Sequence, residues 1–347
     1  MKNLFIIILL LSFFSCKNTK EITFLELFEK KEDITLLPFN NVIIDSLMSP
    51  DIFISAGDYL IFSEPKLPYL LSSYNFKTHA FKRFLRKGQG VNEAINIQTL
   101  GQLNNDNSFY AHDVMSQSIF LFSINDLSET IEKDSLPSSY NVSSLAYDDN
   151  LAFYMIVGDS ARFVVKHDDN FVSLGEMPKV DDILPQVLSQ SLQGPSLVSF
   201  ENKKLAWFSV YGDIMEIYNY SNPNNIYLVR SSVVNLPVYS KSSERNSGVL
   251  ALNTKLSVSS VTSDGKYIYA LYNENKIEDA VKKGDDIFFC KKILVFDWEG
   301  NPVKILNVDR QLRSITYRKE DGKLYCLGLA ENLDPAVYFF SINNLDL

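Results

Sequence analysis

Histidine, cysteine and glycine are scarce in this chain of 347 residues, which has 3, 3 and 14 of them. The histidines, His79, His112 and His167, lie far apart and show no metal-binding spacing such as His-Glu-x-x-His. No Lys-Ser or Lys-Thr pair follows the segment Gly88-Gln89-Gly90, so it is not a P-loop, and the Gly-x-Ser-x-Gly elbow of a nucleophilic serine does not occur. The sequence therefore indicates no catalytic set, no metal site and no cofactor.

Basic residues are also in deficit, with 33 Lys and Arg against 42 Asp and Glu, for a net charge of −9. Nucleic-acid binding takes its affinity from Lys and Arg that neutralise phosphates, so nucleic acid is an unfavourable partner for an acidic surface. A polybasic stretch that would bind anionic lipid headgroups is also missing. If the protein is attached to a membrane, the attachment therefore comes from a feature other than basic residues.

No apolar run is long enough to cross a bilayer as a helix, which takes about 20 residues. The longest follows Lys2, contains about ten apolar residues, and is closed by the small Ser12 and Ser15, which is the pattern of a secretory signal. The junction Ser15-Cys16 resembles the lipobox of bacterial lipoproteins. This resemblance implies a signal peptide at 1–15, a lipid on Cys16 as the membrane attachment, and a place in the Gram-negative envelope, at the outer membrane.

Residues 16–33 are interpreted as a lipidated polar tether with one helical turn at Phe24–Phe28. The other two cysteines, Cys290 and Cys326, lie in strand-like runs. Two interpretations of them stay open: buried thiols that behave as small apolar residues, or one disulfide between neighbouring strands.

Phenylalanine and tyrosine are abundant, with 24 and 18 residues, which favours strands. A unit of four strands, A to D, is clearest at Leu256–Val261, Tyr267–Tyr272, Lys292–Asp297 and Pro302–Leu306, and a new unit begins at Leu312. Four earlier units begin near residues 52, 95, 142 and 196. Six units of about 52 residues over 34–347 predict an all-β fold, a six-bladed β-propeller with four-stranded blades.

The sixth unit has no strand D of its own, because the chain ends soon after its strand C. The run Ile34–Phe39 is predicted to supply that strand and to close the ring, which removes an exposed sheet edge. The alternative is a frayed N-terminal extension over a flat sandwich.

Two segments carry a resemblance to a known family. Arg83–Glu93 contains Gly88-x-Gly90-x-x-Glu93, and Val295–Pro302 forms a typical turn between strands C and D. Both are similar to segments of the six-bladed, TolB-like propeller lipoproteins of Bacteroidetes-type bacteria. The resemblance implies a propeller tethered to the envelope, and it carries over no catalytic residues.

In a propeller, the D–A and B–C connections lie on one face, here called the loop face, and the A–B and C–D turns lie on the other, the turn face. The long insertions at 86–94, 178–194, 235–255 and 274–286 all belong to the loop face, where binding sites commonly lie. A short helix is predicted within 178–194. The charged residues of this face are the candidate binding residues: Arg86, Lys87, Glu93, Lys241, Arg245, Asp285, Asp286, Arg310 and Arg313.

The leading hypothesis is a binding or assembly module that engages a protein or a glycan through the loop face. A glycan-active hydrolase or lyase with its site at the central channel is the alternative, and a purely structural envelope protein is the third hypothesis.

Overall fold

The computed structural model describes residues 22–39, 46–104, 107–136, 139–148, 151–168, 170–180, 183–240 and 250–347, with backbone alone at 128–135 and 285. Strands dominate, and short helical segments occur in the connections. In these described ranges, no helix is both long and apolar enough to span a bilayer. The predicted signal peptide and Cys16 lie outside them.

The strands form six antiparallel blades in which A pairs with B, B with C and C with D. In blades 1 to 3 the strands are Phe53–Ala56, Tyr59–Ser63, Tyr69–Asn75 and Phe81–Lys87; Ile97–Gln102, Ser108–Asp113, Ser118–Ser123 and Asp126–Ser135; and Asn141–Asp148, Leu151–Val157, Ala161–His167 and Asn170–Glu176. Blades 4 and 5 contain Ser196–Ser199, Lys204–Phe208, Ile214–Asn219 and Tyr227–Val233; then Val258–Ser263, Tyr267–Tyr272, Cys290–Asp297 and the first half of Pro302–Arg318. Blade 6 takes its strand A from the second half of that long strand and continues with Lys323–Leu329 and Pro335–Ser341. The predicted six-bladed, four-stranded architecture is confirmed.

The middle strands carry the core. Strand B of blade 3, Leu151–Val157, is buried at six successive positions because both of its faces contact neighbouring sheets. Strand D of the same blade, Asn170–Glu176, is largely exposed because it forms the outer edge. Runs of apolar residues in B and C, between more polar A and D strands, are what stacking the blades around an axis requires.

An N-terminal strand closes the ring as predicted, but it is shorter than the predicted run Ile34–Phe39, because Ile34 pairs with Val308 of blade 5. Leu37 pairs with Phe339 and Pro38 with Tyr338 in an antiparallel register, so residues 37–38 form strand D of blade 6. Phe39 extends the pairing, since its N–H donates to the carbonyl oxygen of Val337 at 2.8 Å. Residues 37–39 thus complete the last blade, and the chain then continues into blade 1.

The predicted tether differs from the structure over residues 23–34. Lys31–Ile34 forms a fifth strand that pairs in parallel with Ile305–Val308 on the edge of blade 5. Upstream, Phe24 and Phe28 are buried between blades 4 and 5, with their rings 6.0 and 5.1 Å from the ring of Phe296. The propeller therefore begins before the predicted boundary at residue 34, because two aromatic side chains gain burial there. The predicted helical turn is present as a short helix, Phe24–Leu27.

This N-terminal segment is held by Asp213, a buried carboxylate in the B–C connection of blade 4. Its oxygens accept the N–H of Phe24 at 3.1 Å, the Ser257 hydroxyl at 2.7 Å and the Tyr272 hydroxyl at 3.1 Å. Asn235 donates its side-chain amide to the carbonyl oxygen of Ile22. The chain therefore enters the described structure on the loop face, at the border of blades 4 and 5.

A buried ion pair joins blades 3 and 4. The Arg162 guanidinium donates to both carboxylate oxygens of Glu216, at 2.8 and 3.0 Å, and stacks 3.7 Å from the ring of Trp207. The Tyr218 hydroxyl donates to the same carboxylate at 2.5 Å. Trp207 is thus a packing residue of the blades.

Both remaining cysteines are free thiols inside blades 5 and 6. Burial raises the pKa of Cys290 to about 12 and also raises the pKa of Cys326. The interpretation as buried thiols is confirmed, and the disulfide between them is not formed.

Candidate functional site

Arg86 and Lys87, at the end of strand D of blade 1, and Glu93, in the connection to blade 2, lie on the loop face. Glu93 accepts the N–H of Gly90 at 3.0 Å, and Lys87 donates to the carbonyl oxygen of Pro65 at 2.9 Å. A Cβ on Gly88 would lie 1.9 Å from Oε2 of Glu93. The Gly88-x-Gly90-x-x-Glu93 segment is therefore a self-capped turn, in which the Glu93 carboxylate packs closely against Gly88.

Two further candidates are engaged within the protein. Arg313 donates through Nε to Asp51 at 2.6 Å, which ties blade 6 to blade 1. Arg310 pairs with Glu331 at 3.3 Å at the solvent-exposed edge of blade 6. The structure does not gather these two arginines with Arg86 and Lys87 into one charged pocket.

The structure describes only some of the remaining candidate residues. Asp286 is exposed on the short helix Gly284–Phe288, in the B–C connection of blade 5, and the side chain of Asp285 is not described. Lys241 and Arg245 lie outside the described residues. The helix predicted within 178–194 is present at Pro185–Ser191.

The main cavity is the central channel, with a volume of about 780 Å³. The A strands of all six blades form its wall, with the end of the helix Pro185–Ser191 and Tyr211 on the loop-face side. From the sequence alone, the channel is predicted only as the place for the alternative, enzymatic site. Single serines and threonines in strands do not by themselves mark its polar lining.

A repeated β-bulge shapes the channel wall. The A–B register shifts by one residue at Gln98, Ser143, Ser259 and Arg313, in blades 2, 3, 5 and 6. Each bulged residue follows an aliphatic residue and precedes a serine or threonine, as in Val258-Ser259-Ser260. Bulges redirect side chains and often lie next to sites. This three-residue pattern is the sequence feature that could have pointed to the channel.

Hydroxyl groups join the inner strands of blades 5, 6 and 1 directly. Ser260 Oγ accepts the N–H of Ile315 at 3.1 Å, and Thr262 Oγ1 accepts the N–H of Tyr317 at 3.0 Å. Thr316 Oγ1 accepts the N–H of Ser55 at 3.0 Å. In this half of the channel wall, these hydroxyl groups therefore hold neighbouring blades together.

The opposite half of the wall contains hydroxyl groups that, within the described structure, make no hydrogen bond to a neighbouring blade. Ser144 and Ser196, on the inner strands of blades 3 and 4, line the cavity, and their buried hydroxyl oxygens find no hydrogen-bond partner among the described residues. Gln98 and Gln190 are exposed at the loop-face mouth of the same half, close to Gln193 in the lining. We name this half, formed by blades 2 to 4, the polar arc.

The lining carries charge only at one end. Glu201, Asp264, Lys319 and Glu320 are the charged residues of the lining, and all four belong to A–B turns on the turn face. Asp264 accepts the Tyr269 hydroxyl at 3.0 Å, and Glu320 pairs with Arg318 at 3.5 Å. Within the described ranges, no group of three His, Cys, Asp or Glu side chains is placed to hold a metal ion. The arrangement is suited to hydrogen bonding with an uncharged guest.

Comparison with known proteins agrees with the fold. A family model for TolB-like six-blade propellers matches residues 47–320. A putative exported protein from Bacteroides fragilis is 12% identical, with a TM-score of 0.54 over 88% of this chain and 93% of that one. A DUF4221-family protein from Bacteroides vulgatus is 10% identical, with a TM-score of 0.52 over 88% and 95% of the two chains.

A luciferin-regenerating enzyme is similar as well, with 8% identity and a TM-score of 0.51 over 88% and 94% of the two chains. No curated protein matches the sequence. At these identities the similar structures show a shared fold.

Proposed function

This chain belongs to the family of TolB-like six-bladed propellers, and from that premise we propose that it is a lipid-anchored envelope protein that binds an uncharged glycan in its central channel. The predicted signal peptide and the lipid on Cys16 are part of this proposal, with attachment at the outer membrane of a Gram-negative cell. The propeller acts as a binding module. The other ligand of the leading hypothesis, a protein bound at the loop face, is less well supported. Among the candidate charges that the structure describes, Lys87, Glu93, Arg310 and Arg313 are engaged within the fold.

The observation that carries the proposal is the chemistry of the channel. A space of about 780 Å³ is large enough for a short oligosaccharide, and hydroxyl and amide groups line its length. The hydroxyls of Ser144 and Ser196 have no hydrogen-bond partner among the described residues, so a guest gains bonds to them once they turn toward the channel. Sugar hydroxyls can both donate and accept such bonds.

The same lining disfavours charged ligands. A phosphate or sulfate group in the uncharged part of the channel would lose its hydration without a cation to compensate. The lining cation, Lys319, lies at the turn-face end, beside Glu320. The proposal is therefore limited to neutral glycans.

Of the two alternatives, a glycan hydrolase requires two carboxyl groups on either side of a scissile bond, and a lyase requires a base beside the anionic uronic acid that it cleaves. The lining carboxylates lie together at the turn face, and Asp264 and Glu320 are already bound to neighbouring side chains. The geometry supports binding better than cleavage.

Calorimetry of the purified protein with neutral oligosaccharides tests the proposal. Gln190→Leu changes the mouth of the channel, and Gln186→Leu makes the same change on the same helix, outside the lining. We expect the first variant to weaken binding at least tenfold and the second to leave it unchanged. Ser196→Leu, which narrows the polar arc, should abolish binding.

Three results would contradict the proposal: no neutral oligosaccharide binds, only anionic glycans bind, or Gln190→Leu and Ser196→Leu both bind as the unmodified protein does. Release of shorter sugars during the titration would instead favour the enzyme.

A further inference from the structure

Exposed apolar side chains are distributed unevenly over the two faces of the propeller. Seven connections of the loop face each present one that is more than half exposed, from 57% for Leu184 to 88% for Val281. The seven residues are Met48, Val91, Met115, Leu184, Leu252, Val281 and Leu333. Among the described residues, none of the exposed large hydrophobic side chains lies in an A–B or C–D turn.

These seven apolar tips come from connections around the whole ring. Met48 precedes blade 1, Val91 follows it, Met115 belongs to blade 2, Leu184 precedes blade 4 and Leu252 precedes blade 5. Val281 and Leu333 lie in the B–C connections of blades 5 and 6. A set of single apolar residues distributed over one face differs from the contiguous patch that marks most protein interfaces.

The N-terminal chain points to what covers this face. Ile22, where the described structure begins, lies on the loop face, since its carbonyl oxygen accepts the Asn235 amide next to Asp213. Five residues lie between Cys16 and Ile22, and the six Cα–Cα steps that join the two span at most about 20 Å. A lipid on Cys16 therefore keeps this edge of the loop face within about 20 Å of the membrane surface.

We propose that the loop face docks on the lipid surface that carries the anchor, with the seven apolar tips inserted into the interfacial layer. This inference rests on the lipid anchor of the proposed function. Side chains such as Val281, which precedes Lys282 and Lys283 on a helical turn, suit an interface in which the apolar group enters the lipid and the ammonium groups stay at the headgroups. The loop-face mouth of the channel would then open at the membrane, where glycans carried by lipids are within reach.

Fluorescence quenching in vesicles tests this orientation. The lipidated protein is reconstituted in phosphatidylethanolamine–phosphatidylglycerol vesicles with a polarity-sensitive dye on Val281→Cys, Leu333→Cys or, on the turn face, Lys266→Cys. Cys290 and Cys326 are buried, and the protein without an added cysteine measures their background labelling. We expect dyes at 281 and 333 to shift to the blue and to lose most of their emission to a lipid-borne quencher, and the dye at 266 to respond only to an aqueous quencher.

A matched pair of substitutions tests the role of the tips. Leu333→Asp should reduce quenching of the dye at 281, whereas Val172→Asp should not, because Val172 is 59% exposed on strand D of blade 3, outside the loop face.

Flotation of the vesicles and the mass of the N-terminal peptide report on the anchor separately from the orientation. The protein could float with the vesicles and carry the lipid while the dyes on both faces remain exposed to water. That result would contradict the docking proposal and leave the proposal of a lipid anchor intact. Docking is equally wrong if a protein partner, added to the vesicles, covers the loop-face dyes that lipid does not. If Cys16 carries no lipid, the anchor fails and the docking proposal fails with it, while calorimetry of the channel still decides glycan binding.

Discussion

Ser260 and Ser314 join blades 5 and 6 at the channel, with their Oγ atoms 3.3 Å apart. Both follow the bulged residue of an inner strand. The equivalent position in blade 3 is Ser144, whose hydroxyl has no partner within the described part of the chain. The same position of the repeat thus joins neighbouring blades on one side of the ring and lines the polar arc on the other side.

This difference predicts opposite effects for the same substitution. Ser260→Ala leaves the buried N–H of Ile315 without its acceptor and should lower the free energy of unfolding by about 1–3 kcal/mol. Ser144→Ala removes an unpaired hydroxyl and should leave that free energy unchanged or slightly higher. Urea unfolding of both variants measures the difference, and equal losses would contradict the assignment of the two halves of the wall.

Most of the fold could be predicted from local patterns. The four-strand period is written in short apolar runs, and the missing last strand follows from counting them, so the pairing of Leu37 with Phe339 was predictable. The resemblance carried by Gly88-x-Gly90-x-x-Glu93 led to the family that the match over 47–320 shows.

The strand Lys31–Ile34 was not predictable in the same way. Its partner, Ile305–Val308, lies about 270 residues away, and parallel pairing leaves no turn sequence to mark it.

The candidate site was harder to predict from the sequence than the fold was. Charge and loop length pointed to the rim, but Glu93 and Arg313 find their partners inside the protein through contacts that the sequence does not reveal. The channel, in contrast, is lined by ordinary serines, threonines and glutamines. Their significance depends on which hydroxyls are already bonded across blades, and that is a property of the three-dimensional structure.

The buried pair of Arg162 and Glu216 predicts a strong dependence of each residue on the other. Arg162→Met leaves a buried carboxylate without its cation and should cost about 3–5 kcal/mol of unfolding free energy. The double variant Arg162→Met, Glu216→Gln should recover most of that loss, because the amide is neutral and can still accept the Tyr218 hydroxyl. Arg310→Met, at an exposed pair, serves as the control and should change little. A double variant as unstable as Arg162→Met alone would contradict this account.

His112 predicts a loss of stability in acid. Both ring nitrogens are buried with no partner in the described ranges, and burial lowers its pKa to about 4, against a weaker opposing effect of Asp113. Because the unfolded chain binds the proton from about pH 6.5 downward and the folded chain does not, stability should fall by about 3 kcal/mol between pH 6.5 and pH 4. Above pH 6.5 this contribution is constant.

His112→Leu tests the origin of that loss. The equivalent strand B positions of blades 3, 5 and 6, opposite Ser144, Ser260 and Ser314, are Met155, Leu271 and Leu327, so leucine suits the site. The variant should flatten the pH dependence of the unfolding free energy over this range. An unchanged slope would assign the acid sensitivity to another group.

Asp213 predicts the strength with which the N-terminal segment is held to the propeller. Asp213→Ala removes the acceptor of the Phe24 N–H and of the Ser257 and Tyr272 hydroxyls, and should lower the free energy of unfolding by about 3 kcal/mol. The larger effect is expected on local opening, since a protease cuts the chain only where it can leave its neighbours. Trypsin should cleave after Lys30 many times faster in this variant than in Ser257→Ala, which removes one of the same bonds. Cleavage there would separate residues 16–30, with the lipid on Cys16, from the blades, so the rate measures how firmly Asp213 connects the proposed anchor to the propeller. Equal rates in the two variants would mean that the burial of Phe24 and Phe28, rather than the carboxylate, holds the segment in place.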